Sequence, residues 1–148
     1  MRFLPIHMEN VSNAATLFVK LQNIPPKSQN WTYSSAYARL SAEIKTVGFE
    51  GYIVFYESGS PAGFLLGHSE VREDGKSDFF LRELCFEWSE QGDEAARAAL
   101  SHLAGTLAGR CIDTILMLAE RTSDLQARAE KLGFAHRADL VCLQKTCD

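Results

Sequence analysis

A chain of 148 residues that is 46% hydrophobic, 23% charged and 10% aromatic has the composition of a globular protein with one core, and a single domain over 1–148 is expected. No apolar run exceeds about six residues, against the ~18 that span a bilayer, so no membrane span is expected; the start, Met1 to His7, lacks the apolar centre of a signal peptide. The net charge of −4 divides into +3 over 1–48, −8 over 49–96 and +1 over 97–148, which leaves no basic stripe for nucleic acid and an acidic middle that either attracts a cation or solvates hairpin faces.

Phe3, Leu4 and Ile6 suggest a first strand. Val11, Ala14, Ala15, Phe18 and Leu21 or Gln22 then recur at helical spacing, and Pro25-Pro26 separate this helix from a second. The second is expected to be capped by Ser34 or Ser35, to carry Tyr33, Tyr37, Leu40, Ile44 and Val47 on one side, and to end at Gly48. Residues 52–56, 63–68 and 79–86 are rich in aromatic and β-branched residues. They are separated by Ser58-Gly59-Ser60-Pro61 and Glu73-Asp74-Gly75-Lys76, so an antiparallel meander is predicted. Ala96, Ala99, Leu100, Leu103 and Leu107 mark a helix over 94–108, followed by a buried strand near 115–118 that should lie parallel to the strand before the helix. Thr122 or Ser123 caps a helix through Leu132 that Gly133 closes, and Leu140-Val141-Cys142-Leu143 reads as a last strand. The order β-α-α-β-β-β-α-β-α-β is an α+β fold.

Cys85, Cys111, Cys142 and Cys147 form no Cys-x-x-Cys pair and stand near no histidine at ligand spacing. No metal site is expected, and a reduced, cytoplasmic setting is the simplest reading. His7, His68, His102 and His136 are scattered and read as surface or packed residues.

Three segments carry a resemblance that spans nearly the whole chain. Leu81-Arg82-Glu83-Leu84-Cys85-Phe86, Gln91-Gly92-Asp93-Glu94-Ala95-Ala96 and Ala129-Glu130-Lys131-Leu132-Gly133-Phe134, in this order, resemble the fourth strand, the pyrophosphate loop and the closing segment of the GNAT superfamily of N-acetyltransferases. The resemblance implies a mixed, mostly antiparallel central sheet with a β-α-β crossover and flanking helices. It also implies acetyl-coenzyme A as cosubstrate and a primary amine of a small molecule or protein as acceptor. Backbone groups of Leu84, Cys85 and Phe86 would hold the pantetheine arm. Gln91, Gly92, Glu94, Ala95 and Ala96 would surround the pyrophosphate at a helix N-terminus. Thr122 stands where the family often has asparagine and would keep one hydrogen bond.

Two departures stand out. Glu94, preceded by Asp93, occupies a loop glycine position, and Ala129 replaces a tyrosine proposed as general acid. The two carboxylates either repel the anion or face water and favour the helix N-terminus. A non-catalytic module of the same fold, binding a protein or small ligand, is therefore the alternative to an enzyme; homodimerisation stays open. Glu83 is the candidate base, because a carboxylate in a partly apolar sheet should have a raised pKa. A salt bridge to Arg82 or a solvent-facing position is its structural alternative. Glu87 is a second candidate base. Trp31, Tyr33 and Tyr37 cluster where the family walls its acceptor pocket, with Trp31, in the polar loop, favoured over the two tyrosines, which suit a helix core.

Overall fold

The computed structural model describes residues 1–147 and divides into two compact units, Met1–Leu118 and a second from Ala119 onward. The first unit contains β1 (Arg2–Pro5), α1 (Val11–Gln22), α2 (Tyr33–Ile44), β2 (Phe49–Phe55), β3 (Pro61–Val71), β4 (Ser77–Phe86), α3 (Glu90–Ala108) and β5 (Ile115–Leu116). These strands form one sheet in the order β1-β2-β3-β4-β5; the first four are antiparallel, and β5 runs parallel to β4. The meander follows from its two short connections, closed by Tyr56 N–H donating to the Ser60 carbonyl and Arg72 N–H to that of Lys76.

Alternation along the strands splits the core in two. Ile53, Phe64 and Cys85 lie side by side in register and, with Leu66, pack under Val11, Ala14, Phe18 and Leu21 of α1 and Ala36 and Leu40 of α2. On the other face α3 packs on β2, β3 and β4. Its buried stripe of Ala95, Ala96, Ala99, Leu103 and Leu107 is small near the N-terminus and larger beyond.

The strand expected as buried near 115–118 spans only Ile115–Leu116, both half-buried, and Leu118 is 79% exposed, because its ladder with β4 ends at Leu116. Three helix boundaries also differ from the sequence expectation. Thr32, not Ser34 or Ser35, caps α2: its hydroxyl accepts from Ser35 N–H while the Ser35 hydroxyl accepts from Thr32 N–H, so the expected serine closes a capping box. The helix then ends at Ile44, which leaves Val47 90% exposed and Gly48, at φ +81°, as the turn into β2. Ser89 caps α3, so this helix begins four residues earlier than the expected 94.

The second unit carries α4 (Asp124–Lys131), capped by the Ser123 hydroxyl, which accepts from Gln126 N–H at 3.1 Å. Gly133 follows at φ +102°, as a helix-closing glycine should. The expected strand at 140–143 does not form. Leu140, Val141 and Leu143 are exposed, and a strand with no neighbour to share its hydrogen bonds is not stable. No helix among the described residues is long and apolar enough to cross a membrane.

Candidate functional site

The centre of the first unit is the C-terminal half of β4. Its parallel ladder with β5 covers only Phe79↔Ile115 and Phe80↔Leu116, so from Leu81 onward β4 runs on without β5 beside it. At the same level it carries a bulge: Leu66 of β3 pairs with Glu83 and Gly67 with Leu81, which leaves Arg82 as the extra residue. Consecutive strand residues normally point to opposite faces. Here both Arg82 and Glu83 reach α2.

Glu83 is buried, and its Oε1 accepts from Arg39 Nε of α2 at 2.5 Å. Burial pushes its carboxyl pKa up, a rise that the Arg39 guanidinium partly offsets. Arg82, the sequence neighbour expected as its partner, instead brings its Nε to 4.0 Å from Glu43, one turn beyond Arg39 on α2. The Glu43 carboxylate also accepts from His68 Nδ1 at 2.7 Å, while His68 Nε2 lies 2.9 Å from Glu70. Burial alone would lower the His68 pKa; the two carboxylates outweigh it and hold the imidazole above its usual value. A crevice of about 230 Å³ lies among Arg39, Leu40, Glu43, Leu66, Arg82 and Glu83.

The segment Gln91–Ala96 is not a loop but the first turns of α3. Helix geometry commits the N–H groups of Glu94, Ala95 and Ala96 to carbonyls four residues back, and the side chains of Ala95 and Ala96 are buried. Of the earlier donors, Gly92 N–H goes to the Ser89 hydroxyl at 3.0 Å and Asp93 N–H to the Ser89 carbonyl at 2.9 Å. Gly92 is required by packing, since a Cβ there would fall 2.0 Å from the Glu87 carbonyl oxygen. Glu94 is exposed, and with Glu87, Gln91, Glu57 and Lys20 it lines a second cavity of about 620 Å³ beside the β2–β3 turn.

The arm-binding candidates Leu84, Cys85 and Phe86 are buried on β4 past the point where β5 leaves it. Trp31 is less exposed than a loop position suggests. It meets Phe18 edge-on at 4.8 Å, packs on the core and lies under the Arg39 guanidinium at 5.6 Å. Tyr37 is a partly buried core neighbour, and the Tyr33 ring meets it at a tilt, 5.9 Å away, while remaining half exposed. Thr122 belongs to the second unit, at φ +61°, a backbone conformation that asparagine adopts more readily than a β-branched residue.

Sequence reading missed Arg39, Glu43 and His68. The available signal was the Arg39/Glu43 pair at i, i+4, which places both on one helix face; nothing in the sequence aims that face at Glu83. Part of the acidic middle of the chain is paired internally: Glu50 with Arg110, Asp74 and Asp78 with Arg72, Glu70 with His68 and Glu83 with Arg39.

The sequence matches no protein-family model and no curated protein. Its fold matches solved acetyltransferases over their whole length. A protein described as a probable acetyltransferase shares 14% identity at a TM-score of 0.79, with 100% of this chain and 99% of that one covered. The aminoglycoside 6'-N-acetyltransferase AAC(6')-IG of Acinetobacter haemolyticus shares 12% identity at 0.75, with both chains covered in full. The ribosomal-protein-alanine N-acetyltransferase of Brucella melitensis shares 14% at 0.68, covering 98% of this chain and 100% of that one. At these identities the likeness shows the fold, which is that of the GNAT acetyltransferases.

Proposed function

We propose that this chain is an N-acetyltransferase that moves an acetyl group from acetyl-coenzyme A to a primary amine, with Glu83 as the base. The observation that carries this reading is the buried Glu83 carboxylate on a strand that has just parted from its parallel neighbour. Such a strand offers an extended edge along which the amide-bearing pantetheine arm can lie, and this half of the site fits the donor, with Leu84, Cys85 and Phe86 as the residues that would hold it. The phosphate half fits poorly. One of the four free N–H donors at the start of α3, that of Gly92, is spent on the Ser89 hydroxyl, and Glu90, Asp93 and Glu94 are acidic. A weak hold on the diphosphate follows from this.

When bound, the donor supplies an activated thioester carbonyl. Glu83 takes a proton from the acceptor's ammonium group, and its raised pKa makes the neutral carboxylic acid easier to form. The amine nitrogen then forms the bond to the acyl carbon as the carbon–sulfur bond breaks. Of the two protons left on nitrogen, one ends on the departing thiolate and the other stays on the amide, so no separate acid is needed where Ala129 replaces tyrosine. The exposed thiols of Cys111, Cys142 and Cys147 suit a reducing compartment such as the cytoplasm. Thiol release from acetyl-coenzyme A in the presence of an amine panel tests the reading, and no release above the hydrolysis blank with any amine overturns it.

The capped, acidic start of α3 favours a second reading, a binding module of the same fold that has given up the donor. The two separate on thermal stability: a ligand at 100 times its dissociation constant raises stability by about 2.7 kcal/mol. Coenzyme A at millimolar concentration that leaves the melting temperature unmoved supports the module.

A further inference from the structure

We propose that the crevice between α2 and the β4 bulge binds a small zwitterion, a free α-amino acid, which on the transfer reading above is the acceptor. The crevice holds two guanidinium groups, Arg39 and Arg82, and two carboxylates, Glu43 and Glu83, beside the exposed Ala42, with Leu40 and Leu66 fully buried behind them. Its volume of about 230 Å³ lies below the ~300 Å³ at which pockets begin to take drug-sized ligands, and suits a single amino acid.

The hydrogen-bond capacity is uneven in a way that points to both ends of such a ligand. Arg39 spends Nε on Glu83, and Arg82 stands 4.0 Å from Glu43, beyond hydrogen-bond reach. Among the described residues the Nη groups of both arginines make no hydrogen bond, and both side chains are about half exposed. Glu83 is nine-tenths buried with Oε1 engaged, and its Oε2 makes no hydrogen bond to the described residues. The crevice therefore has donors for a carboxylate beside an acceptor for an ammonium group.

Charge then selects the ligand class. A polyamine that reaches Glu83 sets its other ammonium groups against Arg39 and Arg82. A simple carboxylate meets Glu43 and Glu83. An α-amino acid exchanges with the internal pair: its ammonium group goes to Glu83 as its carboxylate goes to the guanidinium groups, so the buried Glu83 charge is never stranded. This exchange also delivers the amine to the proposed base.

The test is calorimetry without donor, using L-alanine, L-leucine, L-leucinamide, 4-methylpentanoate and spermidine as probes. The expected result is binding of alanine or leucine, with leucinamide and 4-methylpentanoate weaker by about tenfold or more, the size of one lost charge-assisted hydrogen bond. Arg82→Gln leaves the Arg39–Glu83 pair in place, and its fold is checked by its melting curve. It should bring the leucine to leucinamide ratio toward one, and Arg39→Gln should do so further. Binding of leucinamide or spermidine as tight as that of leucine, or no binding of either amino acid at millimolar concentration, overturns the proposal. Parallel turnover with acetyl-coenzyme A separates the two readings. Amino-acid binding with no thiol release for any amine sinks the transfer reading and leaves the zwitterion site standing. Equal acetylation of leucine, leucinamide and spermidine keeps the transfer reading and sinks the zwitterion site.

Discussion

Arg82 and Glu83 are chain neighbours on a strand, yet both reach the same helix, Arg82 toward Glu43 and Glu83 onto Arg39. The bulge opposite Leu66 and Gly67 makes this geometry. It places the buried carboxylate where β4 has left β5, which is what a base acting at that edge requires. Glu83→Gln should lower acetyl transfer by about 10²–10⁴-fold, the usual contribution of a general base. It should leave coenzyme A affinity unchanged if, as proposed, backbone groups of β4 hold the arm. Because burial raises the Glu83 pKa, the wild-type rate should climb with pH at values above the ordinary glutamate pKa of about 4.3. Turnover and calorimetry on both proteins, across pH, check this; equal rates would remove Glu83 from the mechanism.

Gly92→Ala should destabilise the protein with no ligand present. Its Cβ would fall 2.0 Å from the Glu87 carbonyl oxygen, a backbone atom that cannot rotate away. The cost is about 1–3 kcal/mol by analogy with overpacked cores. A denaturant titration of the apoprotein reads it, and an unchanged midpoint would show that the start of α3 can shift.

Glu94 is exposed at the rim of the 620 Å³ cavity, so its charge acts through water. Glu94→Gln should tighten coenzyme A binding by no more than about twofold, in line with ~0.5 kcal/mol for an exposed charge, and less at high salt. Glu94→Gly should do no better on affinity and should lower the melting temperature, because glycine costs about 0.5–1 kcal/mol inside a helix. A tenfold gain with either variant would mean that the diphosphate sits against this side chain.

His68 should make stability pH-dependent. Its folded pKa is raised, since hydrogen bonds to Glu43 and Glu70 outweigh burial. The imidazolium therefore contributes stability that is fully present below the unfolded pKa of about 6.5 and is lost as pH rises through the higher folded value. Urea titrations at pH 6 and above should show a falling midpoint that His68→Gln flattens over the same window. An identical pH dependence in the two proteins would place the titration elsewhere.

Much of the fold was legible in the sequence because its elements follow local rules. The 3.6-residue stripes of Val11–Leu21 and Ala96–Leu107 and the turns at Gly59 and Gly75 placed two helices and the meander. The start of α3 was misjudged because Ser89 sits among polar residues. Ser89, Glu90, Gln91 and Asp93 give no apolar stripe, and only the Ser89 hydroxyl on Gly92 N–H marks the cap. The apolar run of 140–143 predicted a strand, but a strand needs a neighbouring ladder, and no local pattern says whether one is present.

The sequence by itself determined which residues alternate or recur, and therefore which side chains enter the two halves of the core, Glu83 among apolar strand residues included. Only the tertiary structure decided where β4 parts from β5, that Arg82 bulges, and that Glu83 pairs with Arg39, 44 positions away, rather than with its neighbour. Periodicity reports on a segment's own geometry, whereas strand register and ion-pair choice depend on which surfaces pack together. A one-residue slip in register exchanges the inward and outward faces of a strand without changing its sequence.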